Sequence, residues 1–186
     1  MSNVYKEVDK EIIREMIRAI GDDPNREGLR ETPVRVTKSW KELFAGYGQD
    51  PSKIMKVFED DTCDEMVIVR DISFVSFCEH HILPFLGVAH IAYVPNGRVL
   101  GVSKLVRVLE IYAKRLQIQE RLTQQVTSAL DKHLNPLGSA CVIESKHLCM
   151  GCRGVRQPKS KMITSSLTGV FEKIEVRQEF LNLIKR

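Results

Sequence analysis

At Met66 the hydrophobic pattern changes from a helical period to a strand-like one, and the fold class turns on that change. Upstream, Val4, Val8, Ile12, Met16 and Ile20 recur every four residues with charges between them, the spacing of one helical face closed by Gly21. Residues 22–31 are polar and rich in turn formers. Thr32-Pro33 then reads as an N-cap followed by proline at the first helical position. Val36, Trp40, Leu43, Phe44 and Tyr47 give this second helix one apolar face. Beyond Met66, residues 67–77 and 85–94 are rich in β-branched and aromatic side chains. Pro95-Asn96-Gly97 signals a hairpin turn, with residues 99–102 as the returning strand. Ser103 caps a helix that runs to Arg115 or thereabouts, and another starts near Gln119 with Leu122, Val126, Leu130 and Leu134 on one face. Residues 140–145 and 162–171 read as strands. Residues 175–184 read as a closing helix that buries Val176, Phe180, Leu183 and Ile184. This order predicts an α+β protein with a mainly antiparallel sheet and helices on one side. The expected division is an N-terminal helical region over residues 1–60 and a sheet-and-helix domain over residues 61–186.

Charge and cysteine usage exclude several function classes. The formal net charge is +4, with no Lys/Arg block long enough to serve as a nucleic-acid tail, so no nucleic-acid partner is expected. The mild excess still favours a small anionic substrate. No apolar run approaches a membrane span, so no membrane partner is expected either. The N-terminus runs into a charged helical pattern rather than a signal peptide, which makes the cytoplasm, with its reduced thiols, the expected compartment. Five cysteines cannot all pair within one chain, and free thiols can bind metal.

The chemistry concentrates in a few short segments. In Cys78-Glu79-His80-His81, a cysteine and a histidine three apart can reach one metal ion from a tight turn at a strand end, and thiolate with imidazole suits zinc. A second cluster, Cys149-Met150-Gly151-Cys152, supplies further thiols. On spacing alone, Cys78, His81, Cys149 and Cys152 make a closed four-ligand structural site; a catalytic site would use three ligands and leave a position for water. His80, Glu79, His147 and Arg153 lie in the same segments and are superfluous in a purely structural site. In Gly101-Val102-Ser103-Lys104-Leu105-Val106-Arg107, a helix start carries Lys104 and Arg107 on one face, a plausible phosphate cradle that lacks the P-loop ending. Gln119-Glu120 opens the next helix; an amide beside a carboxylate suits a guanine edge. His90 reads as strand packing, His133 as a helix C-terminal residue, Cys63 as a loop thiol and Cys141 as a core residue.

These segments, in this order, resemble GTP cyclohydrolase I. The residues that carry the likeness are Cys78-Glu79-His80-His81, Gly101-Val102-Ser103-Lys104, Gln119-Glu120-Arg121-Leu122-Thr123, and His147-Leu148-Cys149-Met150 followed by Arg153-Gly154. The likeness extends from Thr32-Pro33, with Arg35 and Lys38, to the final helix. It implies a tunnelling fold, a four-stranded antiparallel sheet with two long helices, in a homo-oligomer of two stacked pentameric rings with active sites between subunits. It further implies zinc on Cys78, His81 and Cys149. His80 and His147 would transfer protons, and Ser103 would lie near the ribose. Gln119 and Glu120 would hold the guanine of GTP. Lys104, Arg107 and Arg153 would contact the triphosphate, with Lys38 reaching in from a neighbouring subunit. The implied products are 7,8-dihydroneopterin triphosphate and formate, and Cys152 is no ligand in the family's pattern. Two other readings of the same residues are a zinc-stabilised binding module without turnover and a related pterin or deazapurine enzyme.

Overall fold

The computed structural model describes residues 9–58 and 63–185. Val4 and Val8 of the expected first helix, and the boundary drawn at residues 60 and 61, lie outside the described residues. The elements are α1 (Lys10–Ala19), α2 (Thr32–Leu43), β1 (Val57–Phe58), β2 (Val67–Cys78), β3 (Pro84–Val94), β4 (Val99–Leu100), α3 (Ser103–Ala113), β5 (Leu116–Gln117), α4 (Gln119–Leu134), β6 (Gly138–His147), α5 (Leu148–Gly151), β7 (Met162–Leu167) and α6 (Ile174–Ile184). No helix among the described residues is long and apolar enough to cross a membrane.

The main sheet has the order β5-β2-β3-β6-β7. Its four long strands are antiparallel neighbours, and β5 joins the edge of β2 in parallel through Phe77↔Leu116 and Cys78↔Gln117. This fifth strand was not expected, because two residues are too few to show a period. Register places Phe77 opposite Pro84, Phe85 opposite His147, and Ser145 opposite Met162. The ends of β2, β5 and β6 and the starts of β3, α4 and β7 therefore meet at one end of the sheet. The β3–α3 connection and the end of α4 meet at the other, where Leu137 N–H donates to Val94 O.

One face of the sheet packs on α3 and α4. Ile72, Phe74, Phe85, Ala89, Ile91, Cys141 and Ile143 interlock there with Leu105, Val108, Leu109, Leu122, Val126 and Leu130. The α4 series Leu122, Val126 and Leu130 is fully buried, worth about 1.5–3 kcal/mol per side chain. The expectation of helices on one side is corrected by α6, which covers part of the opposite face with Phe180 against Ala92, Ala140, Val142 and Phe171. That is why β6 is buried at every position from Gly138 to Ile143, the pattern of a strand covered on both faces. Leu183, expected inside, is exposed on α6.

Three further expectations change. Residues 99–102 do not return along β3: Val99 and Leu100 pair with Phe58 and Val57 of β1 instead. Gly97 does turn the chain, at φ 68°, and Leu100 N–H donates 2.9 Å to the buried Tyr93 hydroxyl. Both helix starts shift by one residue, since Glu31 rather than Thr32 precedes α2, and Val102 rather than Ser103 precedes α3 without a side-chain cap. The strand expected over residues 162–171 ends at Leu167, and a 3-10 turn brings Phe171 into the core. His90 is buried, and its Nδ1 accepts the Asp71 N–H at 3.2 Å where β2 bulges, a structural role as expected.

Candidate functional site

The loop between β2 and β3 is tied to itself before any ligand is considered. Cys78 N–H donates to Leu83 O at 2.9 Å, Ile82 N–H returns to Cys78 O at 2.8 Å, and Ile82 takes a left-handed conformation to close the turn. Glu79 N–H donates to Gln117 O at 3.0 Å, which fastens the loop to β5. The Glu79 carboxylate pairs with Arg121 of α4, which holds its carboxyl below the usual range. Arg121 Nε in turn donates to Gln117 Oε1 at 3.1 Å. This pair joins the loop to the first turn of α4. Sequence reading named Glu79 but did not find Arg121 as its partner, because the two are 42 residues apart.

Cys149 approaches from the other side, on the short α5 that follows β6. Cys78 Sγ, a ring nitrogen of His81 and Cys149 Sγ all lie within 4.8 Å of one another, and Cys78 Sγ is 3.7 Å from His81 Nδ1. For zinc with bonds of about 2.3 Å to sulfur and 2.0–2.1 Å to nitrogen, a tetrahedral S···N edge is about 3.6 Å. The donor types and the spacing therefore fit such an ion. Burial, and then the neighbouring Cys78, push the Cys149 thiol up. Cys152 stands apart: it is exposed, and its Sγ donates to Leu148 O at 2.9 Å. The four-ligand alternative left open by spacing is not the arrangement found.

Two histidines border the group. His80 is exposed, with Nδ1 3.8 Å from Cys78 Sγ. His147 ends β6 and stacks on Phe85, with ring centroids 4.5 Å apart and planes at 6°. Burial lowers the His147 pKa, partly offset by the Glu120 carboxylate. Glu120 is exposed in the first turn of α4. Gln119 beside it is not: it is 1% exposed, and its amide is engaged wholly within the chain, with Ile143 O, Met162 O, Thr164 Oγ1, Ser145 Oγ and His147 Nε2. Phe85, Ser145 and Thr164 carried no sequence signal beyond strand pattern.

The remaining expected residues lie elsewhere in the chain. Ser103, Lys104 and Arg107 lie in the first half of α3, which starts at the far end of the sheet; the helix to Ala113 spans about 15 Å from Ser103 and about 9 Å from Arg107. Lys38 is exposed on α2, and Arg153 is exposed just beyond α5. A single chain thus gathers Cys78, His80, His81, Cys149, His147, Gln119 and Glu120 at one sheet end, while Lys104 and Arg107 project from the other.

The chain is similar to known proteins over nearly its whole length. The profile of the family described as GTP cyclohydrolase I matches residues 9–185. The chain is 49% identical over 183 residues to GTP cyclohydrolase 1 of Thermoanaerobacter pseudethanolicus, covering 97% of each chain. It is 52% identical over 180 residues to GTP cyclohydrolase 1 of a Dehalococcoides mccartyi strain, covering 95% of each. Among solved structures, an archaeosine synthase QueF-Like protein in the apo form aligns with 59% of this chain at 15% identity and TM-score 0.48, too distant a likeness to bear on function.

Proposed function

The chain belongs to the GTP cyclohydrolase I family, and we propose that it converts GTP and water to 7,8-dihydroneopterin triphosphate and formate at the Cys78–His81–Cys149 group. The observation that carries this is the two-thiol, one-imidazole set within 4.8 Å, bordered by His80 and His147. A structural site has no need of two further histidines, and a fourth thiolate on the metal would leave no position for water. Cys78, His81 and Cys149 would hold zinc, which when bound supplies a Lewis acid that activates water near neutral pH.

The chain's own residues bind the base and move protons. The exposed Glu120 carboxylate accepts from the guanine ring N–H and exocyclic amine. Gln119 backs it from the buried side. His80 and His147 protonate the five-membered ring of the purine, which makes C8 a better electrophile, and return protons as the ring opens. C8 leaves as formate; the opened ribose rearranges and closes onto the pyrimidine amines, with Ser103 near the sugar. Lys104, Arg107 and Arg153 hold the triphosphate, which does not react and so serves to place the base.

The position of α3 argues for an oligomer. Lys104 and Arg107 start a helix at the sheet end remote from Cys78, so a neighbouring subunit is the natural source of that cradle, as expected of Lys38. Two observations fit assembly. The outer edges of β2 and β7 are unpaired among the described residues, apart from the two residues of β5. Ile12, Met16 and Ile20 form an exposed apolar stripe on α1. The reading is a tunnelling fold assembled as two pentameric rings, working in the cytoplasm. Incubation of the purified protein with GTP, followed by dihydropterin fluorescence and formate release, tests the activity; zinc-replete protein that makes neither product sinks it. A sedimentation mass other than ten chains removes the two-ring assembly.

A further inference from the structure

The buried amide of Gln119 determines which nitrogen of His147 carries a fixed proton. Its Nε2 lies 3.0 Å from Ile143 O and 3.1 Å from Met162 O. Backbone carbonyls only accept, so the NH2 end of the amide must face them. The partner at 3.1 Å, Thr164 Oγ1, is consistent: Thr123 Oγ1 donates to Gln119 O at 2.7 Å, so the 2.6 Å contact between the two threonines has Thr164 as donor, leaving its lone pairs for the amide. Oε1 then faces Ser145 Oγ at 2.6 Å and His147 Nε2 at 2.9 Å. An amide oxygen only accepts. Both lone pairs are filled by donors, and one of those donors is His147 Nε2–H. A flipped amide would set its oxygen against two carbonyls at the same distances. The Phe85 ring, stacked at 4.5 Å, holds the imidazole in the plane this bond requires.

We infer that Gln119 is a positioning residue that keeps the proton of His147 on Nε2, so that the proton His147 exchanges with substrate is the one on Nδ1. The inference rests on the proposed role of His147 in proton transfer. It departs from a direct contact between the Gln119 side chain and guanine, since no atom of the amide is left for one. With Nε2–H fixed, Nδ1 is the nitrogen left free to take up and give back a proton; a neutral ring in the other tautomer has Nδ1 already blocked by hydrogen, which lowers turnover without weakening binding.

The test joins spectroscopy to kinetics. Solid-state ¹⁵N NMR of histidine-labelled, metal-free protein at alkaline pH, with His147 identified by its absence in His147→Ala, reads the tautomer in an assembly of any size. Wild type is expected to show protonated Nε2 and bare Nδ1. Gln119→Met is expected to lose that preference and to lower kcat about 10²-fold, the scale of one acid–base group. Its KM for GTP and its zinc content are expected to stay near wild type. Gln119→Glu, whose side chain keeps an acceptor oxygen for His147, is expected to restore the tautomer and part of kcat, and it serves if the methionine variant does not fold. In a His147→Ala background, Gln119→Met should cost little further activity, because its effect runs through the missing ring. A wild-type Nδ1–H tautomer overturns the inference. So does an undiminished kcat loss in the His147→Ala background, or a rise in KM as the main effect. Absence of GTP turnover in wild type would instead strike the functional reading, while the NMR result stands by itself.

Discussion

Replacing Cys149 and Cys152 separately with serine separates a three-ligand catalytic centre from a closed structural one. The thiols are three residues apart, Cys149 on α5 and Cys152 just past its end, yet only Cys149 belongs to the group within 4.8 Å with Cys78 and His81. Cys152 points to Leu148 O, 2.9 Å away, and a serine hydroxyl can make the same bond. Structural zinc sites are held by about 10–16 kcal/mol at neutral pH. Shared among four ligands, that is about 2.5–4 kcal/mol for one, or roughly 10²–10³ in affinity. Cys149→Ser is therefore expected to bind zinc about 10²–10³-fold more weakly and to lose nearly all turnover. Cys152→Ser is expected to keep its zinc and most of its rate. Competition with a chromophoric chelator measures affinity, and metal analysis after gel filtration measures occupancy. If Cys152→Ser gives up zinc as readily as Cys149→Ser, the donor set read from the geometry is wrong and the four-ligand site returns.

Three further outcomes are expected. Lys104→Ala or Arg107→Ala should weaken GTP binding about 10-fold or more with zinc retained, the scale of one charged hydrogen bond, and the deficit should shrink at high salt; equal affinity at every salt concentration returns both residues to a solvated surface. Tyr93→Phe leaves the Leu100 N–H unpaired beside a side chain 1% exposed, and should cost about 1–3 kcal/mol, seen as a lower urea midpoint at unchanged slope. Cys141 is fully buried and its thiol is pushed far up by desolvation, so in the native protein it should resist an aromatic disulfide reagent that labels Cys152, and early labelling of Cys141 would contradict the packing.

How much of this was legible in the sequence depended on whether the deciding contact was local. The face of α4 was plain, because Leu122, Val126, Leu130 and Leu134 repeat every four residues and all four are buried in one core. The face of α1 was not. Two apolar series run along it, Ile13 with Ile17 and Ile12 with Met16 and Ile20, and the chain buries only the first. Periodicity finds a stripe but does not say which body covers it. Pro95-Asn96-Gly97 correctly marked a turn, yet the partner of Val99 and Leu100 lies some forty residues upstream in β1, beyond the reach of turn chemistry. The roles of Cys149 and Cys152 were symmetrical in spacing and diverge only in where each sulfur points. Gln119 was found as a site residue, but its bonds to β6, β7 and His147 are long-range and left no local signal.

The sheet itself sets the precision of the Cys78–His81–Cys149 group. Cys78 ends β2 and His147 ends β6, with β3 between them, so those strand ends are two inter-strand spacings apart, about 10 Å. Two sulfurs on one zinc sit less than about 4 Å apart, given bonds of about 2.3 Å. No residue within the strands can close that gap. The chain closes it from both sides: the loop after Cys78 carries His81 back, and α5, packed on β3, carries Cys149 over the start of that strand. The group therefore depends on the mutual register of β2, β3 and β6 without being part of any ladder. A one-residue slip of β6 against β3 would turn His147 away from Phe85 and Gln119 and move Cys149 by about 3.3 Å, nearly the whole edge of the coordination polyhedron. The buried layer of Phe74, Phe85, Ile91 and Ile143 against α3 and α4 is what makes such a slip costly. Core packing on one face is thus the source of the side-chain geometry at one end.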